Sequence, residues 1–103
     1  MIFHVIEPLR WQRSLDEGTH TGSTRDAELA DVGFIHCSTA AQWPGVVERF
    51  YAGAPELYLL HVDEAVLTSP LEWEPVGDTG ELFPHVFGPI DVAAVVRVEV
   101  IRG

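Results

Sequence analysis

The chain carries five histidines, at positions 4, 20, 36, 61 and 85. Imidazole is the side chain whose unperturbed titration falls closest to neutral pH, so these residues are the first candidates for proton transfer or ligand contact. Four of them, His4, His36, His61 and His85, lie in or beside stretches with strand character. In Gly33-Phe34-Ile35-His36-Cys37-Ser38-Thr39, the two-residue period of a strand sets Phe34, His36 and Ser38 on one face and Ile35 and Cys37 on the other. His85 is framed on its own face by Phe83 and Phe87. An imidazole between aromatic rings, near a turn, can hold a ligand ring or a phosphate, so His36 and His85 are the candidate catalytic pair. His4 stands in the first strand and is a candidate ligand contact. His61 reads as an ordinary core or rim histidine.

Ser38 and Thr39 sit where a strand runs into a helix. Their simplest role is helix capping. The same geometry presents free N–H groups and a partial positive charge, which is a site for an anion. Trp73-Glu74 places an aromatic surface beside a carboxylate, a pair suited to a base and a ribose hydroxyl. No His-x-x-x-His occurs, and one cysteine cannot build a thiolate cluster, so no metal site is expected. Nucleotide-binding glycine loops and the nucleophile-elbow pattern do not occur either.

The elements that must position these residues follow from pattern and punctuation. Ile2 to Ile6 reads as the first strand, and Pro8 to Glu17 as a helix with Trp11 and Leu15 on its inner face, ended by Gly18. Residues 18–25 read as a polar loop, and Asp26 as the cap of a short helix through Ala30. After the strand at 33–37, Thr39 and Gln42 have capping-box spacing. Trp43, Val46, Val47, Phe50 and Tyr51 form an apolar stripe, which predicts a cost of about 3–5 kcal/mol for Phe50→Ala. Glu56 to Val62 is apolar on both faces and should be a central strand. Leu71 to Pro75 reads as a half-buried strand. Leu82 to Phe87 contains Pro84 and reads as an edge or bent strand. Ala93 to Ile101 makes a final long strand. Helices and strands do not alternate regularly, so the class is α+β, a single domain over 1–103 with mixed or antiparallel sheets and two main helices.

Composition bounds the function. The chain has 103 residues and a formal net charge of −10, with six cationic side chains, all arginine. Clustered cations, which nucleic acid and anionic membrane surfaces require, are lacking, so neither is an expected partner. No signal peptide or membrane-length apolar run is visible, and the single Cys37 suits a reducing cytoplasm.

Taken in order, Phe3-His4, Gly33-Phe34-Ile35-His36-Cys37-Ser38, Gln42, Arg49-Phe50-Tyr51, Leu59-Leu60, Trp73-Glu74 and Phe83-Pro84-His85-Val86-Phe87-Gly88-Pro89 resemble the domain of unknown function 952, over essentially the whole chain. The resemblance implies a fold similar to that of the ADP-ribosyltransferases, with small sheets around a nucleotide cleft. It implies no activity, because the family's chemistry is not established. By position His4 would take the part of the early-strand residue that grips the nicotinamide ribose in those enzymes. His85 stands in the late motif where a catalytic Glu is usual, and His20 where family members often carry Tyr.

The expected function is therefore a small-molecule binding protein, for a nucleotide such as NAD or an ADP-ribose derivative. Its site would draw on His4, His36, Ser38, Thr39, Trp73, Glu74 and His85. If it is an enzyme, it is a transferase or hydrolase acting at an N-glycosidic bond. The competing class is an interaction or metabolite-sensing domain that keeps the fold without catalysis. A carboxylate beside His85 would favour the enzyme; a cleft filled by its own aromatic side chains would favour the interaction domain. The sequence carries no statement of oligomeric state.

Overall fold

The computed structural model describes residues 1–103. In chain order the elements are β1 (Ile2–Ile6), α1 (Pro8–Glu17), β2 (Thr19–His20), β3 (Gly22–Thr24), β4 (Ala27–Glu28), α2 (Leu29–Val32), β5 (Ile35–His36), α3 (Trp43–Phe50), β6 (Leu57–Val62), β7 (Leu71–Pro75), β8 (Leu82–Val86), β9 (Ile90–Asp91) and β10 (Val95–Ile101). Short 3-10 turns cover Glu64–Val66 and Val92–Ala94. All strand pairings are antiparallel, which makes this a small α+β domain with three α-helices.

Two three-stranded sheets carry the architecture, in the orders β1-β6-β10 and β5-β8-β7. β6 is central because both its faces are apolar. Leu60 and Val62 pack with Ile2, Ile6, Trp11, Ile35 and Val86, whereas Leu57 and Leu59 pack with Val5, Val47, Tyr51 and Ala54. The two sheets are stitched where Phe3 and Ser38 exchange backbone hydrogen bonds of 2.8 Å each way. This joint brings His4 of β1 next to His36 of β5. Two ribbons, β2-β9 and β3-β4, close the remaining side.

α1 starts at Pro8, whose missing N–H costs nothing in a first turn, and ends where Gly18, at φ +82°, donates its N–H to the Ser14 carbonyl. Its inner face differs from the sequence expectation. Trp11 is buried, but Leu15 is 45% exposed, and the neighbour that goes inside is Ser14. The polar side chain is inside because His20 and Arg10 both bond to it.

Other expectations are corrected in the same way, by a polar partner or a neighbouring strand that pattern alone does not reveal. Residues 18–25 are not simply a loop, since β2 and β3 both lie there and bury His20 and Ser23. Asp26 does not cap a helix; it takes φ +63° in the β3–β4 turn, and α2 begins one turn later on a reciprocal Glu28–Asp31 capping box. Pro84 lies in the central strand of its sheet, not at an edge. It is tolerated because its carbonyl accepts from Cys37 N–H at 3.0 Å just beyond the end of the two-residue β5. The ladder bond that its missing N–H would have made falls where that strand has already stopped.

The α3 stripe is only half confirmed. Val47 and Tyr51 are core residues, but Phe50 is 42% exposed. A half-exposed ring leaves little cavity when removed, so Phe50→Ala should cost about 1 kcal/mol rather than 3–5. Chemical denaturation of the variant measures this; a loss above about 3 kcal/mol would mean that the ring is core after all.

Candidate functional site

β5 and β8 pair with His36 directly opposite His85, and β7 sets Glu72 opposite His85 with Glu74 two residues further on the same face. The outcome is a linear chain of three side chains. His85 Nδ1 lies 2.8 Å from Glu74 Oε1, and His85 Nε2 lies 3.3 Å from His36 Nδ1. A carboxylate only accepts, so His85 Nδ1 carries a proton and donates it to Glu74. With His85 neutral, its Nε2 accepts from His36 Nδ1–H. That leaves the lone pair of His36 on Nε2, which has no partner within the protein. Phe34 stacks on His85 with ring centroids 3.9 Å apart, and Phe83 lies 5.2 Å from His36. His85 is thereby buried, and of the two rings His36 is the one that meets the outside.

A second chain runs beneath the first, through residues buried by α1, β1 and β2. His4 Nδ1 lies 2.7 Å from the backbone carbonyl of His36, so Nδ1 is the protonated nitrogen and donates. His4 Nε2 then accepts from His20 Nε2–H at 2.9 Å. His20 Nδ1 in turn accepts from the Ser14 hydroxyl at 2.7 Å, and Ser14 Oγ accepts from Arg10 at 2.9 Å. Each link determines the tautomer of the next, so every donor in the chain points the same way, from Arg10 toward the His36 backbone. Arg10 is held in place by two bonds to Glu28, of 3.0 and 2.8 Å. The sequence reading found His4 but not its partners: Ser14 is one turn from Arg10 on a helix that looks amphipathic, and His20 sits in an apparent loop.

Burial keeps His4, His20 and His36 neutral. Burial pushes His4 down to about 4, opposed by its bond to the His36 carbonyl and assisted by Arg10. Burial, then His4 and Arg10, push His20 down to about 2. Burial, then the neighbouring His85 and His4 rings, push His36 down to about 4. At neutral pH His36 Nε2 is therefore a bare acceptor. Cys37 is fully buried on the opposite face, and burial pushes its thiol well up, which makes it an inert small apolar residue.

His36 borders two adjoining concavities with Phe50 between them. One, of about 270 Å³, is lined by His36, Gln42, Val46, Arg49, Glu81 and Phe83, among others. The other, of about 190 Å³, is lined by Thr24, Val32, Phe34 and His85 as well as His36, Phe50 and Val76, which line both. Arg49 has no carboxylate within ion-pair distance and is the cation of this cleft. Gln42 is held by Leu82 O at 2.8 Å.

The structure brings together His4, His36, Ser38, Glu74 and His85, and leaves two expected contributors elsewhere. Trp73 pairs with Pro84, on the face opposite His85 and Glu74, and is 46% exposed to solvent away from the cleft. Thr39 and Ser38 do not form an anion-binding helix end. Ser38 N–H is occupied by Phe3 O and Thr39 N–H by Gln42 Oε1 at 3.0 Å. A turn then leads into α3, where Gln42 and Trp43 donate to Thr39 O, and Gly45 and Val46 donate to Gln42 O. With Pro44 lacking an N–H, no donor of that helix start is free. No group of three His, Cys, Asp or Glu side chains is arranged to hold a metal ion.

Residues 6–98 match the family model described as protein of unknown function, DUF952. Two crystal structures of protein CC0527 from Caulobacter crescentus are similar to this chain. Each has a TM-score of 0.82 and covers 96% of this chain and 83% of the other; the identity is 32% for one and 31% for its double mutant. No curated protein matches the chain.

Proposed function

The chain belongs to the DUF952 family, and from that premise we propose that it is a small-molecule binding protein whose ligand, of the NAD or ADP-ribose type, occupies the cleft around His36. The observation that carries this reading is the unpartnered Nε2 of His36, opening on a cleft and backed by His85 and Glu74. Phe50 and Phe83 offer apolar walls for a base or nicotinamide ring, and Arg49 offers a cation for a phosphate. Likeness of fold to the ADP-ribosyltransferases belongs to the same proposal, as does a reducing cytoplasmic setting.

The carboxylate beside His85 favours an enzyme over a passive binder. In a hydrolysis at an N-glycosidic bond, the water oxygen bonds to C1′ and the C1′–N pair leaves on the ring nitrogen. The water proton goes to His36 Nε2, and the proton on His36 Nδ1 passes to His85 Nε2. The charge then rests on His85, beside Glu74. The sensing-domain reading draws on one observation: Phe34 stacks over His85 and leaves that ring 2% exposed, so His36 is the more accessible ring of the relay.

Calorimetry or ligand-observed NMR with NAD, ADP-ribose, AMP and nicotinamide tests the site. The net charge of −10 opposes an anionic ligand at long range, so affinity rests on short contacts and should fall on the order of 10 μM to 1 mM. His36→Ala and Arg49→Ala should each abolish measurable binding, with AMP more sensitive to Arg49 than nicotinamide. No binding of any of the four by the wild type at millimolar concentration removes the nucleotide reading. Binding unchanged in His36→Ala removes the site. Release of nicotinamide from NAD separates the enzyme from the sensor.

A further inference from the structure

β10 is a free edge: it pairs with β6 on one side and with no strand on the other. A seven-residue edge strand without proline offers a row of unpaired N–H and C=O groups to any second strand. Its side chains are not those of a solvated edge. Val98 and Val100 are 41% and 61% exposed on one face, Arg97 and Glu99 lie on the other, and Val96, 55% exposed, is the extra residue of a bulge between Val95 and Arg97. No residue of β10 lines the cleft around His36, so this surface is separate from the proposed site.

We propose that β10 pairs antiparallel with β10 of a second copy of this chain, about a two-fold axis at Val98. Two identical antiparallel strands can meet with their faces matched only if the axis falls on a residue rather than between two. An axis at Arg97 sets that guanidinium against its own copy, and an axis at Glu99 does the same with the carboxylate. An axis at Val98 sets Arg97 opposite Glu99 of the second copy, twice by symmetry. It also sets Val98 against Val98. Opposite charges directly across a strand pair are favourable and like charges are destabilising, so charge selects this register from its neighbours. The valines supply the apolar contact, and the two sheets merge into one of six strands, β1-β6-β10 followed by the same three reversed. The Glu99 carboxylate is already held close to the sheet by His61 Nε2 at 3.0 Å.

Sedimentation equilibrium of the full chain tests the pairing. The wild type should sediment as a reversible dimer, and Val98→Lys as a monomer. Arg97→Glu and Glu99→Arg each turn both cross-strand pairs into like-charge pairs, so each alone should associate roughly tenfold or more weakly. An equimolar mixture of these two variants restores opposite charges at both positions and should form a heterodimer about as tight as the wild-type dimer. Because the mixture uses the same two chains, recovered association also shows that neither substitution has damaged the fold. A wild type that stays monomeric at 0.5 mM overturns the proposal. So does a mixture that associates no better than its components, or an open-ended assembly instead of a dimer.

Discussion

Lowering the pH from 7.5 to 5 should remove about 6 kcal/mol of folding stability through three histidines that burial holds neutral. His4 and His20 are held neutral in the fold, at about 4 and about 2, against an ordinary value near 6.5 in the unfolded chain. Below 6.5 the unfolded chain takes up protons that the folded chain does not, so unfolding is favoured as pH falls. Stability is fully present above about pH 7 and is lost progressively between about 6.5 and 4. Each ring contributes about 2 kcal/mol by pH 5 on this linkage. His36, lowered to about 4, acts in the same direction. Total stabilities of small domains are about 5–15 kcal/mol, so the protein should be close to unfolding near pH 4.5. Chemical denaturation at pH 7.5, 6 and 5 measures the effect. Equal stabilities at all three pH values would show that the buried rings are already charged in the fold, contrary to the hydrogen-bond order derived above.

His20→Ala should destabilise the protein by about 3–5 kcal/mol at pH 7.5. His20 is fully buried, so the truncation leaves a cavity. It also leaves His4 Nε2 and the Ser14 hydroxyl without their partners, and an unpaired buried polar atom costs about 1–3 kcal/mol. The variant carries a second signature that a packing defect alone would not give. With one titrating ring gone, the loss between pH 7.5 and pH 5 should fall from about 6 to about 4 kcal/mol. A variant that loses under 1 kcal/mol, or keeps the full pH dependence, would show that the buried chain does not hold β1 and β2 together.

What the sequence made legible was set by periodicity and by the pairing of blocks. β6 is recognisable because it is apolar on both faces, β1 and the His36 and His85 segments because they are short β-rich runs, and the His36 and His85 segments do meet, on adjacent strands. The pairing that makes a relay, Glu74 to His85 to His36, depends on the register of three strands, which no local pattern states. Phe50 and Leu15 misled for one reason: a helical stripe says which residues share a face, not how far the neighbouring sheet extends beneath it. α3 overhangs the cleft at Phe50, and α1 turns Ser14 inward because its partners are His20 and Arg10. Ser38 and Thr39 stand before the first turn of α3 with their N–H groups already bonded; capping logic counts donors at a helix start without seeing which acceptors hold them. Trp73 failed because alternation put it on the face away from His85.

The stitching of the sheets has a kinetic consequence. Ile2 pairs with Val62, Ile35 with Val86, and Val62 in turn with Val95, so strands from the two ends and the middle of the chain must meet before the larger core cluster closes. The local hairpins, β3-β4 and β7-β8, lie outside the central sheet and cannot nucleate it. Loop-closure entropy therefore precedes most of the hydrophobic gain, and folding should be slow for a chain of this length, in milliseconds to seconds. The transition state must hold β1 against β6, with His4 already committed to the interior. Acid would then slow refolding as well as hasten unfolding, because the rings must shed their protons before that pairing can form.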